Sequence, residues 1–204
     1  GTMASMLKDY YNFETFSIGD ALREEVKKGT ELGKIIDSYI SKGDLVPDDI
    51  ATQIIQSNLD ADKNFILDGY PRNINQAHLL DNILKNINKK IDRVLYFNVD
   101  DEILVDRIAN RLVCPKCNRI YHKKVQKPQR LWYCDFDGTE LVHRKDDNEE
   151  ALRERLKVYH EITKPVIDYY MEKDLVSEVS GDFPTIEERF EVVKKILNLS
   201  EVAS

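Results

Sequence analysis

Three short apolar runs, each closed by an acid or glycine turn and followed by a helix-length stretch, limit what this chain can become. They are NFIL (64–67), IDRVLYFNV (91–99) and LVSEV (175–179). Each is too short for a buried helix and reads as a buried strand. Helical stretches follow at 72–86, 100–110 and 185–197. Strands that alternate with helices point to an α/β chain around a parallel sheet. Further helices are predicted over 1–12, 21–28, 30–42, 47–59, 148–159 and 164–173, with a β-leaning stretch at 13–18. Met3, Met6, Leu7 and Tyr10 supply the apolar stripe of the first, and Leu32, Ile35, Ile36, Tyr39 and Ile40 that of the third. Pro47 with Asp48 and Asp49 suits a helix start, because proline lacks the N–H that would be orphaned there and acids favour the N-terminal dipole.

Residues 113–143 change character, with cysteines, aromatics and no helical period. They read as a small β insertion. Cys114 and Cys117 form C-x2-C, and Cys134 and Asp137 form C-x2-D. Paired knuckles of this kind suit tetrahedral zinc, for which carboxylate oxygen is an acceptable fourth donor. His122 and His143 are the nearby alternatives, but only Asp137 keeps the two-residue spacing. Four protein ligands would close the shell, so the site reads as structural and holds together a module with little core of its own. The chain has only three cysteines, which argues against a disulfide framework and for a reducing compartment.

The 204 residues carry 37 acidic and 30 basic side chains, a formal charge of −7. Non-specific coating of nucleic acid or an anionic membrane is not expected of such a chain. No apolar run approaches the roughly 18–20 residues of a membrane span, and no secretory segment opens the chain. Yet Arg23, Arg72, Arg107, Arg111, Arg144 and Arg155 stand at element ends and turns. Arg72 closes DGYPR at the carboxyl end of a strand, where parallel sheets bind ligands. Guanidinium forks are suited to phosphate oxygens, so a polyphosphate site is one reading and surface ion pairs the other.

The motifs SIGDALR (17–23), LDGYPR (67–72) with Gln76, VDRIANR (105–111), RKDD (144–147) and RLKVY (155–159) together resemble the adenylate kinase family over essentially the whole chain. The cysteine cluster resembles the zinc-bearing lid of its long forms. The resemblance implies an α/β fold, with a parallel-sheet core like that of P-loop nucleoside triphosphatases and nucleoside monophosphate kinases. It divides the chain into a core (1–16, 47–109 and 148–204), a helical AMP-binding arm (17–46) and a small β zinc-binding lid (110–147). It implies Mg²⁺-dependent transfer of the terminal phosphoryl group of ATP to AMP, giving two ADP. Arginines would neutralise charge and lid closure would exclude water.

By position, Arg23 and Arg72 would grip the AMP phosphate, with Ser17, Ile18, Leu45, Val46, Gly69 and Gln76 against AMP. Gly1, Thr2, Arg107, Arg111, Ile120, Tyr121 and Phe183 would serve ATP. Arg144 and Arg155, with Arg111, would meet the transferring group, and Asp68 would hold Mg²⁺ through water. Asp146 and Asp147 would be lid acids that engage on closure. A structural zinc, a monomer and a cytoplasmic location are implied, a mitochondrial one being compatible. Two departures stand out. Ile18 replaces the usual threonine and can neither donate nor accept a hydrogen bond. The family's first strand and glycine-rich loop, GxPGxGKGT, are matched only in their last two letters by Gly1 and Thr2, so weak or no kinase activity is expected of the chain from Gly1. A GTP:AMP phosphotransferase and a non-catalytic nucleotide-binding homologue are the competing functions.

Overall fold

The computed structural model describes residues 2–59, 62–124, 126–181 and 185–200. The elements run α1 Thr2–Tyr11, β1 Glu14–Ser17, α2 Ile18–Lys27, α3 Glu31–Ile40, α4 Asp48–Gln56, β2 Phe65–Asp68, α5 Ile74–Asn86, β3 Val94–Asn98 and α6 Asp101–Ala109. There follow β4 Arg111–Val113, β5 Ile120–His122, α7 Glu149–Val158, a π-helical turn Tyr159–Thr163, α8 Lys164–Met171, β6 Val176–Ser180 and α9 Ile186–Ile196. Side-chain caps set most helix starts. Ser17, Thr30, Asn73, Asp100, Asn148 and Thr185 each accept from a backbone N–H two or three residues on, which satisfies donors that a first turn leaves orphaned. The Asn73 cap explains why α5 begins at Ile74 and not at the predicted residue 72. Tyr70 and Pro71, just before it, are joined by a cis bond.

The β-leaning stretch is a true strand: β1 pairs parallel with β2, in register from Glu14 with Phe65 to Ser17 with Asp68. β3 pairs parallel with β6, Val94 opposite Val176. Among the described residues the parallel strands thus form two pairs and not one continuous sheet. The strands expected to be buried are mostly half-buried, since each has a hydrogen-bonded neighbour on one edge only.

One apolar face is nonetheless shared. Ile66 of β2, Leu95 and Phe97 of β3 and Val179 of β6 pack with Leu7 of α1 and with Phe190 and Val193 of α9. The alternate residues face the other way. Phe16 and Leu67 join the cluster of α2–α5 built on Leu22, Ile36, Ile55 and Leu80, while Val94 and Val176 meet Ala77, Val166 and Tyr170. Helices therefore cover both faces. The predicted stripe of α1 holds for Leu7, but Tyr10 is exposed and only leans its ring on Phe190 at 5.8 Å. Leu32 and Ile35 of α3 are exposed as well.

Leu80 of α5 is fully buried against Leu22, Ile36 and Ile55 of α2–α4. Leu80→Ala is expected to cost about 2–5 kcal/mol, read as a lowered urea midpoint.

Candidate functional site

The carboxyl ends of β1 and β2 lie side by side, because Ser17 pairs with Asp68. Ser17 caps α2, which places Asp20 and Arg23 one turn into that helix. Past Asp68 the chain turns at Gly69, where φ is +82° and a β-carbon would lie 2.9 Å from Arg72 and 3.1 Å from Ile18. Only glycine suits both the backbone and the space. Arg72 then folds back, its Nε donating to the Gly69 carbonyl at 2.7 Å.

Five of the six arginines converge. Arg23 pairs with Asp20 at 2.6 Å and reaches Asp146 at 3.4 Å. Arg144 meets Asp20 at 3.3 Å. Arg155 pairs with Asp146 and lies 3.5 Å from Asp147. Arg111 binds Asp147 with both arms of its fork, at 2.9 and 2.5 Å. Arg72 feels the positive charge of Arg155 and Arg23 and the negative charge of Asp68. Asp146 and Asp147, expected to engage on closure, are paired with arginines here, at 5% residue exposure and 1% side-chain exposure. Buried carboxylates persist only when paired.

The cluster is rich in positive charge. Burial and the neighbouring guanidinium groups Arg155 and Arg23 push the Arg72 pKa down, against the pull of Asp68. Burial, Arg23 and Arg111 bring Arg144 down to about 10, which leaves it a cation at neutral pH. Burial alone would raise Asp20 and Asp146, but Arg23 for the first and Arg155 with Arg23 for the second hold both carboxyls below the ordinary range. Cationic forks concentrated beside a pocket suit a phosphorylated ligand. The pocket is lined by Ile18, Leu45, Val46, Gly69, Tyr70 and Gln76 along with Arg23, Arg72 and Arg155.

Arg107 stands apart, donating to the Gly181 carbonyl at 3.0 Å. Thr2 opens α1. Ile120 lies on β5, and the Tyr121 ring is buried in the lid core with its hydroxyl 3.4 Å from the Cys134 sulfur. Gly1 and Phe183 lie outside the described residues. Sequence reasoning assigned no site role to Asp20 or Asp48. Asp20 stands three residues before Arg23, a spacing that brings side chains together on a helix. Asp48 reads as a helix-start acid because its partners are 25–28 residues away.

In the lid, Cys114, Cys117, Cys134 and Asp137 bring one donor atom each to within 4.8 Å of one another. The Cys117 and Cys134 sulfurs are 3.6 Å apart, and Cys114 lies 3.5 Å from each Asp137 oxygen. A tetrahedral ion about 2.3 Å from each sulfur needs edges of about 3.8 Å, so the donor set fits zinc. Asp137, and neither histidine, is the fourth donor of the group. The Thr139 N–H, 3.0 Å away, holds the Asp137 carboxyl well below the usual range, and burial pushes the Cys117 thiol up to about 12. Antiparallel β4 and β5, with Leu112, Tyr121 and Leu141, supply the small core behind it.

A family model described as adenylate kinase matches residues 1–175. The chain is 42% identical to an adenylate kinase of a Hydrogenobaculum species over 199 residues, covering 97% of this chain and 94% of the relative. It is 45% identical to that of Archaeoglobus fulgidus over 184 residues, covering 89% and 85%. With the enzyme of Methanosarcina barkeri it shares 44% over 200 residues, covering 97% and 92%.

The depressed carboxyls make the cluster acid-labile. A carboxylate held below its unfolded value, about 3.9, adds stability that is complete above that pH and is lost as pH falls through the folded value. Asp146→Asn is therefore expected to cost roughly 3 kcal/mol at pH 7. That gap should narrow as pH drops below about 4, as measured by denaturation at stepped pH.

Proposed function

The chain belongs to the adenylate kinase family, whose enzymes transfer a phosphoryl group from ATP to AMP to give two ADP, and on that premise we propose the following division of labour. Arg23 and Arg72 hold the AMP phosphate at the mouth of the pocket, with Ser17, Ile18, Leu45, Val46, Gly69 and Gln76 around the nucleoside. Arg111, Arg144 and Arg155 take the ATP phosphates and the group in flight, and Arg107 covers the ATP base. Ile120 and Tyr121 face that base through their main chain. The core, arm and lid follow the boundaries 1–16, 47–109 and 148–204, then 17–46, then 110–147. The protein acts as a cytoplasmic monomer.

The observation that carries this reading is the clustering of five guanidinium groups from α2, the β2–α5 turn, β4, the turn before α7 and α7 itself, three of which, Arg23, Arg72 and Arg155, line one pocket. Phosphoryl transfer needs alignment and charge neutralisation more than covalent help. The arginines stand ready to stabilise charge that spreads over the transferring oxygens. Asp20, Asp146 and Asp147 hold the forks apart until phosphate oxygens replace them, so arm and lid acids make anion entry a competition. Mg²⁺, bound with ATP, supplies further neutralisation, and Asp68 at the carboxyl end of β2 is the carboxylate that would hold it. Zinc in the cysteine cluster would tie β4 and β5 to the 130–143 hairpin and take no part in the chemistry.

Calorimetry with AMP, beside an ADP-formation assay with ATP, AMP and Mg²⁺, tests the proposal. Arg72→Ala should weaken AMP by about 10–100-fold, the worth of hydrogen bonds to a charged phosphate, and leave adenosine unaffected. An equal loss for adenosine would refute the phosphate role. GTP in place of ATP is expected to support less turnover. For the lid, elemental analysis should find about one zinc per chain, and Cys134→Ser should release it and lower the melting temperature.

A further inference from the structure

The base pocket has an electrostatic control outside the arginine set. Asp48, in the first turn of α4, accepts three side-chain amides from the start of α5. Its Oδ1 takes Asn73 Nδ2 at 2.8 Å and Gln76 Nε2 at 2.9 Å, and its Oδ2 takes Asn75 Nδ2 at 2.6 Å. Burial alone would raise this carboxyl, but the amides of Asn75, Asn73 and Gln76 hold it below its ordinary value. The group is thus an anion at neutral pH, and an ionised carboxylate can only accept.

Gln76 is 2% exposed and held at both ends of its amide. Its NH₂ faces Asp48, and its Oε1 accepts the backbone N–H of Arg72 at 2.8 Å. Both neighbours demand the same orientation. A flipped amide would set its oxygen against a carboxylate and its NH₂ against an N–H, leaving two buried groups unpaired and repelled. The Tyr70 hydroxyl, which meets Thr52 at 3.2 Å and the Gln76 carbonyl at 3.5 Å, ties α4 to the same backbone.

One amide hydrogen and one lone pair of Oε1 remain for a ligand. Their order along the amide decides which base edge they fit. A 6-aminopurine offers a donor at N6 and an acceptor at N1, whereas a 6-oxopurine offers an acceptor at O6 and a donor at N1–H. To serve the second, Gln76 would have to turn over. Ile18, on the same pocket wall, can neither donate nor accept, so it cannot share the discrimination.

We propose that Asp48 is the specificity-determining positioning residue of this site, locking Gln76 so that the pocket selects 6-amino over 6-oxo purine monophosphates. The inference rests on the reading of this pocket as the AMP site. Its test is the ratio of AMP to IMP dissociation constants in the full chain, by calorimetry. Asp48→Asn, which can donate as well as accept, should cut that ratio by about tenfold or more, since a site built to pair a polar group discriminates strongly. Asn75→Ala removes a tether between the helices but not the Gln76 bond, and should leave the ratio within about twofold. An unchanged ratio in Asp48→Asn, or an equal fall in Asn75→Ala, overturns the lock. If Gln76→Ala leaves both nucleotides as tightly bound as before, the AMP-site reading itself fails. Should Asp48→Asn not fold, nuclear magnetic resonance of the Gln76 side-chain amide in the unsubstituted protein decides. An NH₂ still bonded to Asp48 with either nucleotide supports the lock. Loss of that bond with IMP, bound as tightly as AMP, overturns it.

Discussion

Five guanidinium groups cannot cluster at and beside one pocket unless something offsets their repulsion, and that constraint ties the molecule together. Asp20 comes from α2, and Asp146 and Asp147 from the turn just before α7. Asp20 joins Arg23 to Arg144, and Asp146 joins Arg23 to Arg155, so α2, the turn before α7 and α7 itself meet through charge. The arm turn also approaches α7 closely: a β-carbon on Gly43 would lie 2.5 Å from the Ala151 carbonyl oxygen. The Thr163 hydroxyl in the π-helical turn donates to the Arg72 carbonyl at 2.8 Å, and His160 meets Asp101 at 2.8 Å. The segment that carries Arg155 is therefore anchored to the β2–α5 turn and to α6. Single π turns are frequent at functional sites because they re-aim the side chains around them.

Two kinds of polar order serve two tasks. The arginine cluster holds more cationic forks than carboxylates and is poised for an anion. In the Asp48 network each carboxylate oxygen has an amide donor, and the Asn73 and Gln76 amides are also held by backbone N–H groups. A network satisfied in this way rigidifies its members. The lid uses a third device. Among the described residues its buried cluster is small, built on Leu112, Tyr121, Leu141 and two cysteines, a core of the size that needs a staple, and the four converging donors fit the ion that would complete it.

The alternation of apolar runs with helical stretches was enough to read the α/β class, and the helix ends followed from caps that act over two or three residues. The cysteine spacing likewise carried the four converging donors that could hold a metal, because a knuckle is a local object. Strand pairing was less legible. The 13–18 stretch looked only β-leaning, because its pairing depends on residues some fifty positions away. The half-burial of strands that read as buried, and their grouping in two pairs, also depend on partners that no local pattern reveals. Tyr10 fitted the stripe of α1 but stayed exposed, since the packing of α9 decides which side of that helix is covered.

The site divides along the same line. Residue types and their positions at turns and strand ends singled out Arg23, Arg72, Arg107, Arg111, Arg144 and Arg155 and left a polyphosphate site and surface ion pairs as alternatives, while motif resemblance pointed to the family and to individual roles. Tertiary structure alone decided that Asp20 also meets Arg144 across 124 residues of chain and Asp146 meets Arg23 across 123. It alone turned Asp48 from a helix-start acid into the anchor of Gln76. The reason is physical. Propensity, capping and ligand spacing act between near neighbours and are written in sequence order. Charge neutralisation and the orientation of a buried amide depend on which distant groups share a low-dielectric space, and only the fold brings those together.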